Sequence, residues 1–226
     1  SAWLILFGIF IAEGSASCIS NVVSIAAYKP RVKSALADAL KTLDITYGKC
    51  RDKAEHIEEH NWYFNDKEIN NYLLKFGKSI DKYLPQWVWN LSEAQCRLLI
   101  HAMVLGDGHY MKNGTVRYDT SSIQLADDFQ KRCLHAGWAA NKYTKYLAGH
   151  STTKKCGEII TQTVDAFRLT VVKSQTEPIV NKYNNKIQDS IQQYEGKVYC
   201  INVPNHIFYV RRNGKPVWTG NSSRHG

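Results

Sequence analysis

Trp3-Leu4-Ile5-Leu6-Phe7-Gly8-Ile9-Phe10-Ile11-Ala12-Glu13-Gly14 is apolar on every side and ends in an acid followed by glycine. Ile100-His101-Ala102-Met103-Val104-Leu105-Gly106-Asp107-Gly108 ends the same way, its acid about 94 residues after the first. A helix that is apolar all round is buried on every face. Each stretch carries small residues one turn apart, Gly8 with Ala12 and Ala102 with Gly106, which let two helix backbones approach closely. Each then delivers one carboxylate at a helix C-terminus, facing the negative end of the helix dipole. Two such ends side by side would set two carboxylates a few ångströms apart and call for a cation, and hard oxygen ligands suit Mg²⁺. The competing reading is two ordinary buried helices whose ends happen to be acidic; the pairing weighs against it. Ser92 and Gln95 form a capping box ahead of the second helix. The glycine after each acid is expected to take the left-handed conformation that closes a helix.

The segments between repeat an order. After Gly14, the Ser-, Val- and Ile-rich run to Tyr28 reads as strands. Pro30 suits the first turn of a helix reaching about Leu43. Ile45–Tyr47 and Trp62–Phe64 read as further strands, and Asn65 as the cap of a helix Asp66–Phe76. After Gly108, Thr115–Tyr118 is strand-like. Ser121 and Ser122 then cap a helix Ile123–Ala136, and Trp138–Tyr146 and Glu158–Val172 follow as strands. The expectation is an α+β fold built from two similar halves, about 1–90 and 91–190.

The 226 residues suffice for one large domain or two smaller ones. The net charge of +9, from 29 basic and 20 acidic residues, favours a polyanionic partner, nucleic acid being the commonest. A merely basic soluble protein is the other reading. The six cysteines show no C-x-x-C spacing, which argues against a zinc site. No charged-then-apolar leader precedes them, so reduced, intracellular thiols are expected. The apolar run Ala2–Ala12 is too short for a bilayer, which needs about 20 residues, so no membrane partner is expected.

The two acid-ended stretches resemble the motifs of single-chain LAGLIDADG homing endonucleases, with Ala102 where that family usually has glycine. The resemblance covers roughly residues 1–190. It implies two pseudo-symmetric αββαββα half-units forming a DNA-binding saddle in a monomer, with Glu13 and Asp107 as catalytic acids holding Mg²⁺. Lys82, in Lys82-Tyr83-Leu84-Pro85, resembles the lysine that the family sets before its second motif near the scissile phosphate, and Lys173 is the candidate for its symmetry mate. Strands with basic residues on one face would enter the DNA major groove. The candidates are Lys29, Arg31, Lys33, Arg117, Lys142, Lys145, Lys154, Lys155 and Arg168, though a surface lysine taken alone is more often simply solvated. The implied reaction is metal-dependent hydrolysis of double-stranded DNA. The alternative is a degenerate domain that binds DNA or only supports splicing.

Lys197–Val210 alternates like two short strands around Pro204-Asn205, Asn213-Gly214 is a hairpin signal, and Val217–Thr219 reads as a last strand. By itself this is a C-terminal β hairpin. It resembles the C-terminal blocks of intein (Hint) splicing domains over 196–221. That resemblance implies that Asn221 cyclises, that Ser222 is the acceptor nucleophile, that His206 assists the asparagine step, and that Cys200 stands where many inteins have Asp. Gly220 replaces the usual penultimate His, which places more of the acid–base work on His206. The N-terminal splicing blocks are not in this stretch, so the chain alone is not expected to splice. Residues 222–226 resemble a Ser-Arg-His-Gly run of the second-largest (beta) subunit of DNA-dependent RNA polymerase, which would be the host before splicing. A eukaryotic host would imply the nucleus.

Overall fold

α1 (Ala2–Glu13) has no polar face, and eight of its residues are buried. It packs along α4 (Glu93–Asp107), which opens on Ser92 with both halves of the capping box formed. The computed structural model describes residues 1–51, 59–153, 157–174, 193–212 and 214–220. The chain divides into two units, Ser1–Ser174 and Gln175–Gly226.

In the first unit each of the two helices feeds a four-stranded antiparallel sheet. α1 runs into β1 (Gly14–Ala16), β2 (Val22–Ala26), α2 (Pro30–Thr42), β3 (Gly48–Arg51) and β4 (Glu59–Asn65), and the sheet order is β1-β2-β4-β3. α3 (Lys67–Leu73) and two short 3₁₀ turns then lead to α4. α4 runs into β5 (Gly108–Tyr110), β6 (Val116–Thr120), α5 (Ile123–His135) and β7 (Ala139–Tyr146). After the small hairpin β8 (Ser151–Thr153) and β9 (Ile159–Thr161) comes β10 (Ala166–Val172), giving the matching order β5-β6-β10-β7. The fold is thus α+β, with one order of elements used twice.

Alternation explains the sheets. Val23, Ile25, Trp62 and Phe64 are buried on one face of the first, and Val116, Tyr118, Phe167, Leu169 and Val171 on one face of the second. α1, α2, α4 and α5 add Leu6, Phe7, Phe10, Leu36, Leu99, Met103 and Phe129 to the core, and the segment between β4 and α4 adds Leu73, Phe76, Leu84 and Val88. The opposite face of each sheet stays open.

Several local expectations are corrected. Gly14 and Gly108 are extended, at φ −101° and −98°, and start strands. Glycine is needed there for space: a Cβ would fall 2.2 Å from the Phe10 ring at position 14 and 2.3 Å from the Val104 carbonyl at 108. Asp66, not Asn65, caps α3, accepting from Ile69 N at 2.9 Å. Ile45–Tyr47 is not a strand; β3 begins at Gly48.

In the second unit, β11 (Ile207–Arg212) and β12 (Lys215–Gly220) form the expected hairpin. Lys197–Val203 is irregular rather than a strand. Among the described residues no helix is long and apolar enough to cross a membrane.

Candidate active site

Glu13 and Asp107 are the last residues of α1 and α4. The crossing of the helices brings their ends together: a Cβ placed on Gly106 would lie 2.6 Å from Ala12 Cβ and 2.9 Å from Glu13 Cγ. The Glu13 side chain therefore lies against the residue preceding Asp107. Burial pushes the Asp107 carboxyl up to about 7, and the charge of Glu13 pushes in the same direction. Burial also raises Glu13, with Lys29 opposing. The Tyr118 hydroxyl is buried without a hydrogen-bond partner among the described residues. Its acidity is suppressed by burial first and then by the charges of Asp107 and Glu13.

Cations satisfy the carbonyls that the helix ends leave open. Lys29 Nζ donates to the Gly106 carbonyl. Arg31 donates through Nε to Leu105 O at 3.3 Å and through Nη2 to Gly108 O at 3.0 Å. Both come from the start of α2, so the first half caps the second half's helix. At the other end, Lys82 Nζ donates to Gly14 O at 3.1 Å and sits 3.8 Å over the Phe10 ring. Lys82 is only 3% exposed, and burial lowers its ammonium to about 8.

The second half fixes the Lys82 loop. Ser122 Oγ donates to Lys82 O at 2.6 Å while accepting from Leu125 N as the cap of α5. Leu84 N donates to Asp128 Oδ2 at 2.8 Å, and Gln124 holds the other oxygen of that carboxylate at 2.9 Å. Ser122 was legible as a cap; its hold on Lys82, and the part of Asp128, depend on tertiary contact and left no signal in the sequence.

Beside Asp107 opens a cavity of about 220 Å³ whose lining includes Ser79, Asp119, Thr120, Ser121 and Lys145. Arg117, Lys145 and Arg168 lie on the open face of the second sheet, where Lys145 and Arg168 meet Asp119. The strand-like run Thr115–Tyr118 stops two residues short of the end of β6, which leaves Asp119 outside it. Lys33 lies in the first turns of α2. Lys142 is corrected: its partner in register is Leu169, on the helix-covered face, and its ammonium pairs with Asp127 of α5. Lys173 stands apart from the acids. Its Nζ is 4.8 Å over the Trp138 ring, and its charge acts on His101, about 9 Å along α4 from Asp107 at 1.5 Å per residue. Lys154, Lys155, Asn221 and Ser222 lie outside the described residues. In the second unit Cys200 and His206 are exposed. His206 has φ +57°, and a Cβ on Gly220 would lie 3.2 Å from the His206 carbonyl.

No family model matches the chain. A DNA-directed RNA polymerase subunit beta C-terminal section from Stigeoclonium helveticum is 34% identical over 275 residues, an alignment spanning all of this chain and 24% of that protein. The chain thus spans about a quarter of the length of that curated relative. Among solved structures, full-length DUF199/WhiA from Thermatoga maritima aligns at a TM-score of 0.49 and 11% identity, covering 76% of this chain and 50% of that one. Variants of the homing endonuclease I-DmoI align at 0.49 and 8% identity, covering 77% of this chain and 89% of theirs. LAGLIDADG homing endonucleases are thus among the structural neighbours of this chain, and a polymerase beta section is among its sequence relatives.

Proposed function

We propose that residues 1–190 are a LAGLIDADG homing endonuclease that cuts both strands of a DNA site. The observation that carries this reading is the pair Glu13 and Asp107, half-buried at adjoining helix ends, with Asp107 raised to about 7 partly by its neighbour's charge. Two like charges on the negative ends of two dipoles are uphill unless a cation joins them.

The residues present fit Mg²⁺. They are hard oxygen donors, and the described residues hold no group of three or more His, Cys, Asp or Glu that would form a closed cage. Mg²⁺ typically takes one or two carboxylates and leaves its other positions to water and substrate phosphate. When bound, the ion supplies charge stabilisation at the attacking and leaving oxygens of the phosphodiester. Glu13 and Asp107 would hold it. Lys82, largely cationic below about 8, donates to the phosphate as negative charge develops. Lys29 and Arg31 keep the carbonyls at the end of α4 engaged, so the two acids stay in place. The open sheet faces take the duplex on either side.

The same reading makes 196–221 the C-terminal part of an intein splicing domain. Asn221 would cyclise, Ser222 would accept the acyl group, and 222–226 would belong to a host polymerase beta subunit. The resemblance of the splicing blocks supports this.

The test is cleavage of a duplex carrying the uninterrupted polymerase beta gene junction, with Mg²⁺, by this chain and by Glu13→Gln and Asp107→Asn. Double-strand cutting lost in both variants supports the nuclease. Binding without cutting by the unmodified chain would establish the degenerate alternative instead.

A further inference from the structure

The two open sheet faces differ in chemistry. In the first sheet the residues facing away from Val23, Ile25, Trp62 and Phe64 include Ser15, Ser24, Ala26, Asn61, Tyr63 and Asn65. None of these carries a charge; the charged positions of that sheet's face stand at one end, where Arg51 pairs with Glu59 in register. In the second, the corresponding face carries His109, Arg117, Asp119, Tyr143, Lys145 and Arg168.

Asp119 is at the centre of that charge. It sits opposite Arg168 in the β6–β10 register. Arg168 grips it side-on, Nε to Oδ1 and Nη2 to Oδ2, both at 2.7 Å. Lys145 Nζ reaches Oδ2 at 2.7 Å. Tyr143, the neighbour of Arg168 on β7, also hydrogen-bonds the guanidinium. Burial acts to raise the Asp119 carboxyl, but these hydrogen bonds outweigh it and hold the group below its ordinary value. Of the five N–H donors of an arginine, three are then engaged among the described residues and two remain.

A carboxylate on a DNA-facing surface repels phosphate. Phosphate contacts need only positive charge, whereas reading a base edge needs a fork fixed in direction. The arrangement therefore lowers general affinity and fixes geometry. We propose that Asp119 is the positioning residue of a guanine-reading Arg168, so that one half of the DNA site is read by a clamped guanidinium that the other half lacks. The inference rests on the endonuclease reading and names what its second half recognises.

The test is selection from a pool of random-sequence duplexes by the full chain in metal-free buffer, with sequencing of the bound fraction. The expected motif is lopsided, with a guanine preference in one half. Arg168→Lys and Asp119→Ala should each weaken preference at that same guanine about 5- to 100-fold, the discrimination of one bidentate arginine. Asp119→Ala should at the same time bind random DNA more tightly and with a steeper salt dependence, since a negative charge is gone. A merely structural aspartate would show neither change. Asp119→Asn, with its urea midpoint compared with that of the parent chain, separates misfolding from lost positioning. If the parent chain selects a motif and Asp119→Ala leaves its guanine preference intact, the inference falls alone. A uniform affinity loss in Arg168→Lys across all sequences makes Arg168 a phosphate contact and also overturns it. If the parent chain enriches no sequence, the endonuclease reading falls and takes the inference with it.

Discussion

Gly8 lies directly against Ala102: a Cβ on Gly8 would fall 2.6 Å from Ala102 Cβ. One turn on, the contact is reciprocated by Gly106 against Ala12, at the same 2.6 Å. Each crossing point thus joins a glycine of one helix to an alanine of the other. Gly8→Ala should destabilise by about 1–3 kcal/mol through overpacking, despite the better helix propensity of alanine. Ala102→Gly alone should cost about 1 kcal/mol of propensity. The double swap should recover most of the Gly8→Ala loss, because one methyl again fills the space. Urea unfolding of the three variants checks this, and additive losses would rule out the direct contact.

The raised Asp107 carboxyl makes stability depend on pH in the metal-free protein. Its folded value, about 7, lies above its unfolded value, so the folded state binds the proton more tightly. Its contribution is therefore most favourable at low pH and is lost as pH rises from about 4 through about 7. Asp107→Asn should raise the melting temperature in EDTA at pH 8 and change it little at pH 4. Mg²⁺ should restore the unmodified chain at pH 8 without shifting the variant. The difference between the two proteins across pH is the relevant measurement, because other groups titrate as well.

Much of the fold was legible because it rests on local rules. Two all-apolar helices ending in acids, a capping box at Ser92, Pro30 opening α2 and Ser122 opening α5 each declare themselves within a few residues. The candidate acids were legible for the same reason. What could not be read depends on faces and on contacts distant in sequence. Lys142 looks like any strand lysine until register places it beside Leu169 on the covered face. Lys29 and Arg31 look like DNA contacts until α2 meets the end of α4. The clamp on Asp119 needs three strands in register before it exists.

Lys82 should matter for rate more than for binding. It is buried beside Gly14 and titrates near 8. Lys82→Met should slow single-turnover cutting about 10²- to 10³-fold, the usual effect of losing a preorganised donor. DNA affinity should change only a few-fold. In the unmodified chain the cutting rate should fall as pH rises through about 8, as the ammonium loses its proton. A rate that instead climbs steadily through pH 9 would make Lys82 a base rather than a charge donor.

The two sheet faces predict opposite responses to salt. Lys142 pairs with Asp127 on the helix-covered side, so Lys142→Met should leave DNA affinity and its salt dependence unchanged. Arg117 sits on the open face, opposite Thr170 and His109 in register. Its Nε is buried without a hydrogen-bond partner among the described residues, so the side chain is not committed to a carboxylate as Arg168 is. Arg117→Met should lower affinity and reduce the slope of log affinity against log salt by about one, the signature of one lost phosphate contact. Titrating one fixed duplex at several salt concentrations with both variants decides it. Equal slopes for the two would mean that the open face of the second sheet does not carry the duplex.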